Sequence, residues 1–157
     1  MAILFRGKTQ CGLCREIIGN EHSVVCFGPF VGNELDPLLK FSDACFHEKC
    51  FQADPLARRV QARWDAHTAA FKKRSCLQCG KVPDSPDNYL IFDYFSDDEK
   101  EPAFRLNLLQ FHESCLRNWA GLRGAHEILA DFKQSGRWKG PSIDYMLEVL
   151  QRAQGGK

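Results

Sequence analysis

The sequence has no apolar run of about eighteen residues, so no helix in it is built to span a bilayer. It also lacks an excess of either charge. Lys+Arg number 21 and Asp+Glu 20, a net charge of +1, which excludes a general polyanion binder while leaving room for a local basic patch. No basic stretch followed by an apolar one occurs in Met1 to Gln10. The expectation is therefore a chain without an export signal, working in the cytoplasm. Low-complexity segments are absent, and 44% hydrophobic with 26% charged residues is an ordinary globular balance. At 157 residues there is room for one compact domain or two small ones.

Motifs for several chemistries are missing as well. There is no G-x-x-x-x-G-K-[ST] phosphate loop. The H-x-E then P-C-x-x-C order of zinc deaminases does not occur. His47-Glu48 and His112-Glu113 are only half of an H-E-x-x-H metalloprotease motif. An acid in the first turn of a helix, favoured by the helix dipole, explains Glu48 and Glu113.

What the chain does have is eight cysteines, six of them in a repeat. Cys11/Cys14 and Cys76/Cys79 have C-x-x-C spacing; His47/Cys50 and His112/Cys115 have H-x-x-C spacing. Each residue of the second set lies 65 positions after its counterpart, so C-x2-C-x32-H-x2-C occurs twice. The match continues at Phe27/Phe92, Phe30/Phe95, Glu34/Glu99, Pro37/Pro102, Phe46/Phe111 and Glu48/Glu113, which marks a duplicated unit. Zn2+ takes four ligands in a tetrahedron. A C-x-x-C turn converges two sulfurs on one ion, and H-x-x-C places two side chains on one face of a helical turn. Two structural Zn2+ per chain are expected, one on Cys11, Cys14, His47 and Cys50 and one on Cys76, Cys79, His112 and Cys115. A cross-braced pairing of first with third pairs is the alternative; a duplicated unit carrying its own site favours the sequential one. A disulfide framework would leave both histidines without a role. Cys26 reads as a small buried hydrophobe and Cys45 as a residue near enough to His47 to be an alternative ligand. His22, His67 and His126 have no ligand spacing.

Each unit reads as a knuckle, a β-rich run (Ser23–Phe27; Tyr89–Phe92), a polar turn, a second strand (Leu38–Phe41; Ala103–Leu106) and a helix opened by Phe-His-Glu-x-Cys. That order resembles the treble-clef zinc-finger superfamily, with F-H-x-x-C similar to the step in LIM-type fingers. The resemblance covers roughly residues 9–55 and 74–120. It implies an α+β fold of two tandem treble-clef-like zinc units with additional helices packed into one body. Residues 1–72 would hold the first zinc unit with a long connecting helix, and residues 73–157 the second with C-terminal helices. Asp54-Pro55 starts that connecting helix, with Leu56, Val60, Trp64, His67 and Phe71 on one face. Gly140-Pro141-Ser142 starts the last, with Ile143, Met146, Leu147 and Leu150 on one face.

With four protein ligands at each zinc, no metal-bound water is expected, and the chain reads as non-enzymatic. A RING-like ligase or treble-clef nuclease is the enzyme reading set against it. Binding to another protein is the expected function, as a stoichiometric inhibitor such as a toxin-neutralising immunity protein, or as an adaptor. Residues 76–157 carry an acidic surplus that includes Asp84, Asp87, Asp93, Asp97, Asp98, Glu99 and Glu101. Tyr89, Tyr94, Phe95, Asp97, Asp98 and Glu99 are the candidate partner surface. The alternative is nucleic-acid or transcription-related binding through Arg58, Arg59, Arg63, Lys72, Lys73 and Arg74. No small-molecule substrate and no membrane partner are expected.

Overall fold

The structure, a computed structural model, describes residues 2–82 and 88–155. Asp84 and Asp87 of the acidic surplus lie outside the described residues. The architecture is α+β, with helices and two small two-stranded sheets. By its internal contacts the chain divides into two compact units: Met1–Val31 with Asp36–Thr68, and Gly32–Leu35 with Ala69–Lys157.

The first unit is built around a hairpin of β1 (Val24–Phe27) and β2 (Ala44–His47), paired antiparallel from Val24↔His47 to Phe27↔Ala44. β2 runs straight into a short helix, α1 (Glu48–Ala53), with Glu48 in its first turn. The second strand therefore lies later than the sequence reading put it. Leu39–Phe41 is a 3-10 turn, not part of a strand, and so is Pro102–Leu106 in the second unit. Four residues, three apolar and one a cation, carry too little periodicity to tell the two apart. Phe27, Phe41, Phe46 and Phe51 fill the core with ring centroids 5.1 to 6.3 Å apart. Burying each such ring contributes about 1.5–3 kcal/mol. Gly12 lets the turn lie close to this core: a Cβ on it would sit 2.5 Å from the Phe46 ring and force that ring to shift.

The connecting helix is α2 (Ala57–Lys72). Asp54 Oδ1 accepts the Leu56 N–H at 2.9 Å ahead of it, as a capping carboxylate does. Val60 is fully buried, and Trp64 packs edge-on against Phe27 and Phe30. Phe71, at the far end of the expected apolar face, is instead exposed.

In the second unit β3 (Tyr89–Ile91) pairs antiparallel with β4 (Gln110–His112), and α3 (Glu113–Leu116) follows at once. Two longer helices, α4 (Leu122–Gln134) and α5 (Ser142–Gly155), pack on each other and complete the core. Phe92, Leu106, Phe111, Leu116, Leu129, Ile143 and Leu150 are buried there. Gly32–Leu35 belongs to this unit by its bonds. Asn33 Nδ2 donates to the Arg137 carbonyl at 2.9 Å, and Asn33 Oδ1 accepts the Lys139 N–H at 3.0 Å. Gly140 closes the contact with φ 124°, and a Cβ there would lie 2.8 Å from the Gly32 carbonyl oxygen.

The duplication extends to individual hydrogen bonds. Gly12 N–H donates to Cys45 O and Leu77 N–H to Gln110 O. Cys11 N–H donates to Glu16 O and Cys76 N–H to Lys81 O. Ser42 Oγ accepts from the N–H groups of Phe30 and Val31; Asn107 Oδ1 accepts from those of Phe95 and Ser96. The left-handed positions repeat too: Arg15 (φ 66°) with Gly80 (φ 70°), and Asp43 (φ 55°) with Leu108 (φ 55°). Each pair is 65 residues apart. Different side chains thus sustain one backbone path.

Candidate metal centres

In both units the tight turn presents two cysteines, and the strand-to-helix junction presents His and Cys one helical turn apart. Cys11, Cys14, His47 and Cys50 form one group, and Cys76, Cys79, His112 and Cys115 the other. Within each group the candidate ligand atoms lie within 4.8 Å of one another. Tetrahedral bonds of ~2.3 Å would place sulfurs about 3.8 Å apart, so the groups fit around one ion each. Pairing is sequential, not cross-braced.

The histidines turn Nδ1 inward. His47 Nδ1 is 3.3 Å from Cys14 Sγ and 3.9 Å from Cys50 Sγ. His112 Nδ1 is 3.3 Å from Cys79 Sγ and 3.8 Å from Cys115 Sγ. Both histidines hold the same place in the register, the last residue of the second strand, His47 opposite Val24 and His112 opposite Tyr89.

The thiols are electrostatically unequal. Burial acts to raise Cys11, but the N–H groups of Cys14, Leu13 and His47 outweigh it and bring the thiol down to about 7. Cys76 falls to about 6 against the same burial, helped by the N–H groups of His112, Cys79 and Gln78. Cys50 and Cys115 are pushed up to about 11, by burial first and then by the neighbouring cysteines of their own group. One thiolate forms easily in each group, and its negative charge opposes the next. A divalent cation relieves that repulsion and draws off the remaining protons.

The remaining sequence candidates fall differently. Cys26 and Cys45 are neither free thiol nor alternative ligand: they form a disulfide between directly opposed positions of β1 and β2, Cα–Cα 4.1 Å. The signal was present, since a strand ending at His47 places Cys45 opposite Cys26. A second strand at Leu38–Phe41 would instead leave Cys45 outside the hairpin. The equivalent Gln110 is also buried and braces its own unit. It accepts the Ser75 N–H and donates to the Ala70 carbonyl at 2.7 Å. His22 belongs to neither group, but its ring stands edge-on to His47 at 4.3 Å while its Nδ1 accepts the Gly19 N–H. His67 stacks on Trp64.

Among the acidic and aromatic candidates, Asp97, Asp98 and Glu99 are exposed and Tyr94 is half-buried. Phe95 is not a surface anchor. It is buried against Trp138 at 5.4 Å. Tyr89 is half-buried, and burial of its hydroxyl raises its pKa above the usual value, with the Arg74 charge opposing. Among the basic candidates, Arg58, Arg59, Lys72, Lys73 and Arg74 are exposed. Arg63 is not available to phosphate: its side chain is 3% exposed and is ion-paired with Asp36. No helix among the described residues is long and apolar enough to cross a membrane. Set against protein-family models, curated proteins and solved structures, the chain matches none.

Proposed function

We propose that the chain is a non-enzymatic protein-binding module of treble-clef type, stabilised by two structural Zn2+ ions. The observation that carries this reading is the pair of four-ligand groups. Three thiolates and one imidazole suit zinc by softness and geometry, and four protein ligands fill a tetrahedral shell, leaving no position for a reactive water. Zinc then supplies folding energy where two short hairpins and one-turn helices bury little of their own. Rigid units of this kind serve as recognition surfaces, and a stoichiometric inhibitor (such as an immunity protein) or an adaptor fits the size.

The test is affinity capture of the zinc-loaded chain from lysate of its own host, with and without nuclease. A stoichiometric protein that survives nuclease and is lost on chelation supports the reading. Co-eluting nucleic acid lost at high salt would replace it with phosphate binding through the exposed cations around α2.

A further inference from the structure

An apolar groove runs across the second unit. It has two adjoining parts, of about 370 and 360 Å3, that share Leu77 and Leu109. One part reaches the end of α2 at Ala70, with Lys73 just beyond the helix; the other reaches Arg105, Trp119 and the start of α4.

Three observations show that the groove is more than leftover space. First, Leu77, Leu108 and Leu109 stand where the first unit has Gly12, Asp43 and Ala44. The second unit thus carries three leucines where the first has small or charged residues, and Leu77 is 55% exposed. Second, Leu108 keeps φ 55°, a left-handed conformation that suits the aspartate of the first unit and disfavours leucine. Local strain is thus retained together with an apolar side chain on the groove wall. Third, Gly124 sits within α4, where glycine weakens a helix, yet a Cβ on it would meet nothing within 4 Å. Packing does not demand this glycine, and its missing side chain leaves the groove open.

Charge selects the occupant. Among the described residues the lining holds Lys73 in one part and Arg105 in the other, and no carboxylate. Lys72 and Arg74, the sequence neighbours of Lys73, are exposed as well. We propose that this groove docks a short peptide segment of a partner protein, apolar at its centre and acidic on both sides. Apolar side chains would seat over Leu77, Leu109 and Trp119, and its carboxylates would meet Lys73 and Arg105. This rests on the protein-binding reading above and locates it.

The experiment is selection of a random-peptide display library on the zinc-loaded full chain, followed by binding of the consensus synthetic peptide to wild type and variants. Gly124→Leu fills the groove from a position facing open space. Arg105→Glu reverses one cation on an exposed side chain. Zinc content and near-UV circular dichroism establish that each variant is folded. The expected result is a consensus with apolar residues between Asp or Glu, bound at least about tenfold more weakly by each variant. Lack of enrichment, a consensus without acidic residues, or equal binding by Gly124→Leu overturns the groove. So does displacement of the peptide by a single-stranded oligonucleotide that Arg105→Glu no longer binds. Should the groove fail while a protein captured from host lysate still binds, protein binding stands and its surface lies elsewhere. Should both fail, the binding reading falls too.

Discussion

Cys26 and Cys45 face each other across the first hairpin as a disulfide, while the same two positions of the second hairpin hold Ile91 and Gln110. One architecture thus closes its hairpin covalently in one copy and braces it through a buried amide in the other. With metal chelated and the chain denatured without reductant, alkylation should modify six cysteines; after reduction it should modify eight. Replacing both Cys26 and Cys45 by serine should lower stability by about 3 kcal/mol, the loop-closure value for a separation of 19 residues. Labelling of eight thiols before reduction would refute the bond.

The buried pair Arg63–Asp36 makes the second case. Both side chains are largely out of water, at 3% and 13% exposure. Removing one partner leaves the other charge buried and uncompensated, which costs about 3–5 kcal/mol. Arg63→Met should therefore destabilise strongly in urea titrations. Arg63→Met with Asp36→Asn should recover much of the loss, since the amide carries no stranded charge and its Oδ1 can still accept the Leu38 N–H. Additive losses in the double variant would show that the two side chains do not act as a pair.

The ligand spacing was legible because metal geometry constrains residue type and separation locally within each motif, and the repeat supplied the pairing. The caps and apolar spacing of α2 were legible for the same local reason, with Asp54, Val60 and Trp64 where a helix needs them. The second strands were not. Leu38–Phe41 and Ala103–Leu106 each follow a proline and turn as 3-10 helices (Leu39–Phe41 and Pro102–Leu106), and three apolar residues with one cation among them do not distinguish that from a strand. Nor was the docking of Gly32–Leu35 legible. Asn33 bonds to residues 104 and 106 positions away, a pairing set by tertiary structure alone. Arg63 reads as one cation among six until Asp36 is placed beside it.

Asp54 gives a pH-dependent prediction. Burial alone would raise its pKa, but the Leu56 N–H and the Lys40 ammonium at 3.0 Å hold it below the ordinary 3.8. A depressed native pKa means that the unfolded chain takes up the proton first. The stabilisation is therefore complete above the unfolded pKa and is lost as pH falls through the folded one. The gap in stability between wild type and Asp54→Asn should stay constant from about pH 8 to 5 and narrow below about pH 4. Acid also strips metal from both proteins, so the readout is the gap and not either curve. A gap that widens on acidification would reverse the sign.

Metal stoichiometry tests the arrangement of the eight ligands. Each group is complete within its own unit, so the two ions should be lost independently. Wild type should carry two zinc ions by native mass spectrometry. Cys11→Ser should carry one, with the Cys76 group still loaded, and Cys76→Ser the mirror image. Structural zinc contributes on the order of 10–16 kcal/mol to small domains at neutral pH. Loss of one ion should therefore collapse hydrogen-exchange protection in its own hairpin, Val24–Phe27 with Ala44–His47 for Cys11→Ser, while Tyr89–Ile91 and Gln110–His112 stay protected. Loss of both ions from either single variant would mean that the two centres share ligands or fold only together, and the independence of the two centres would fall with it.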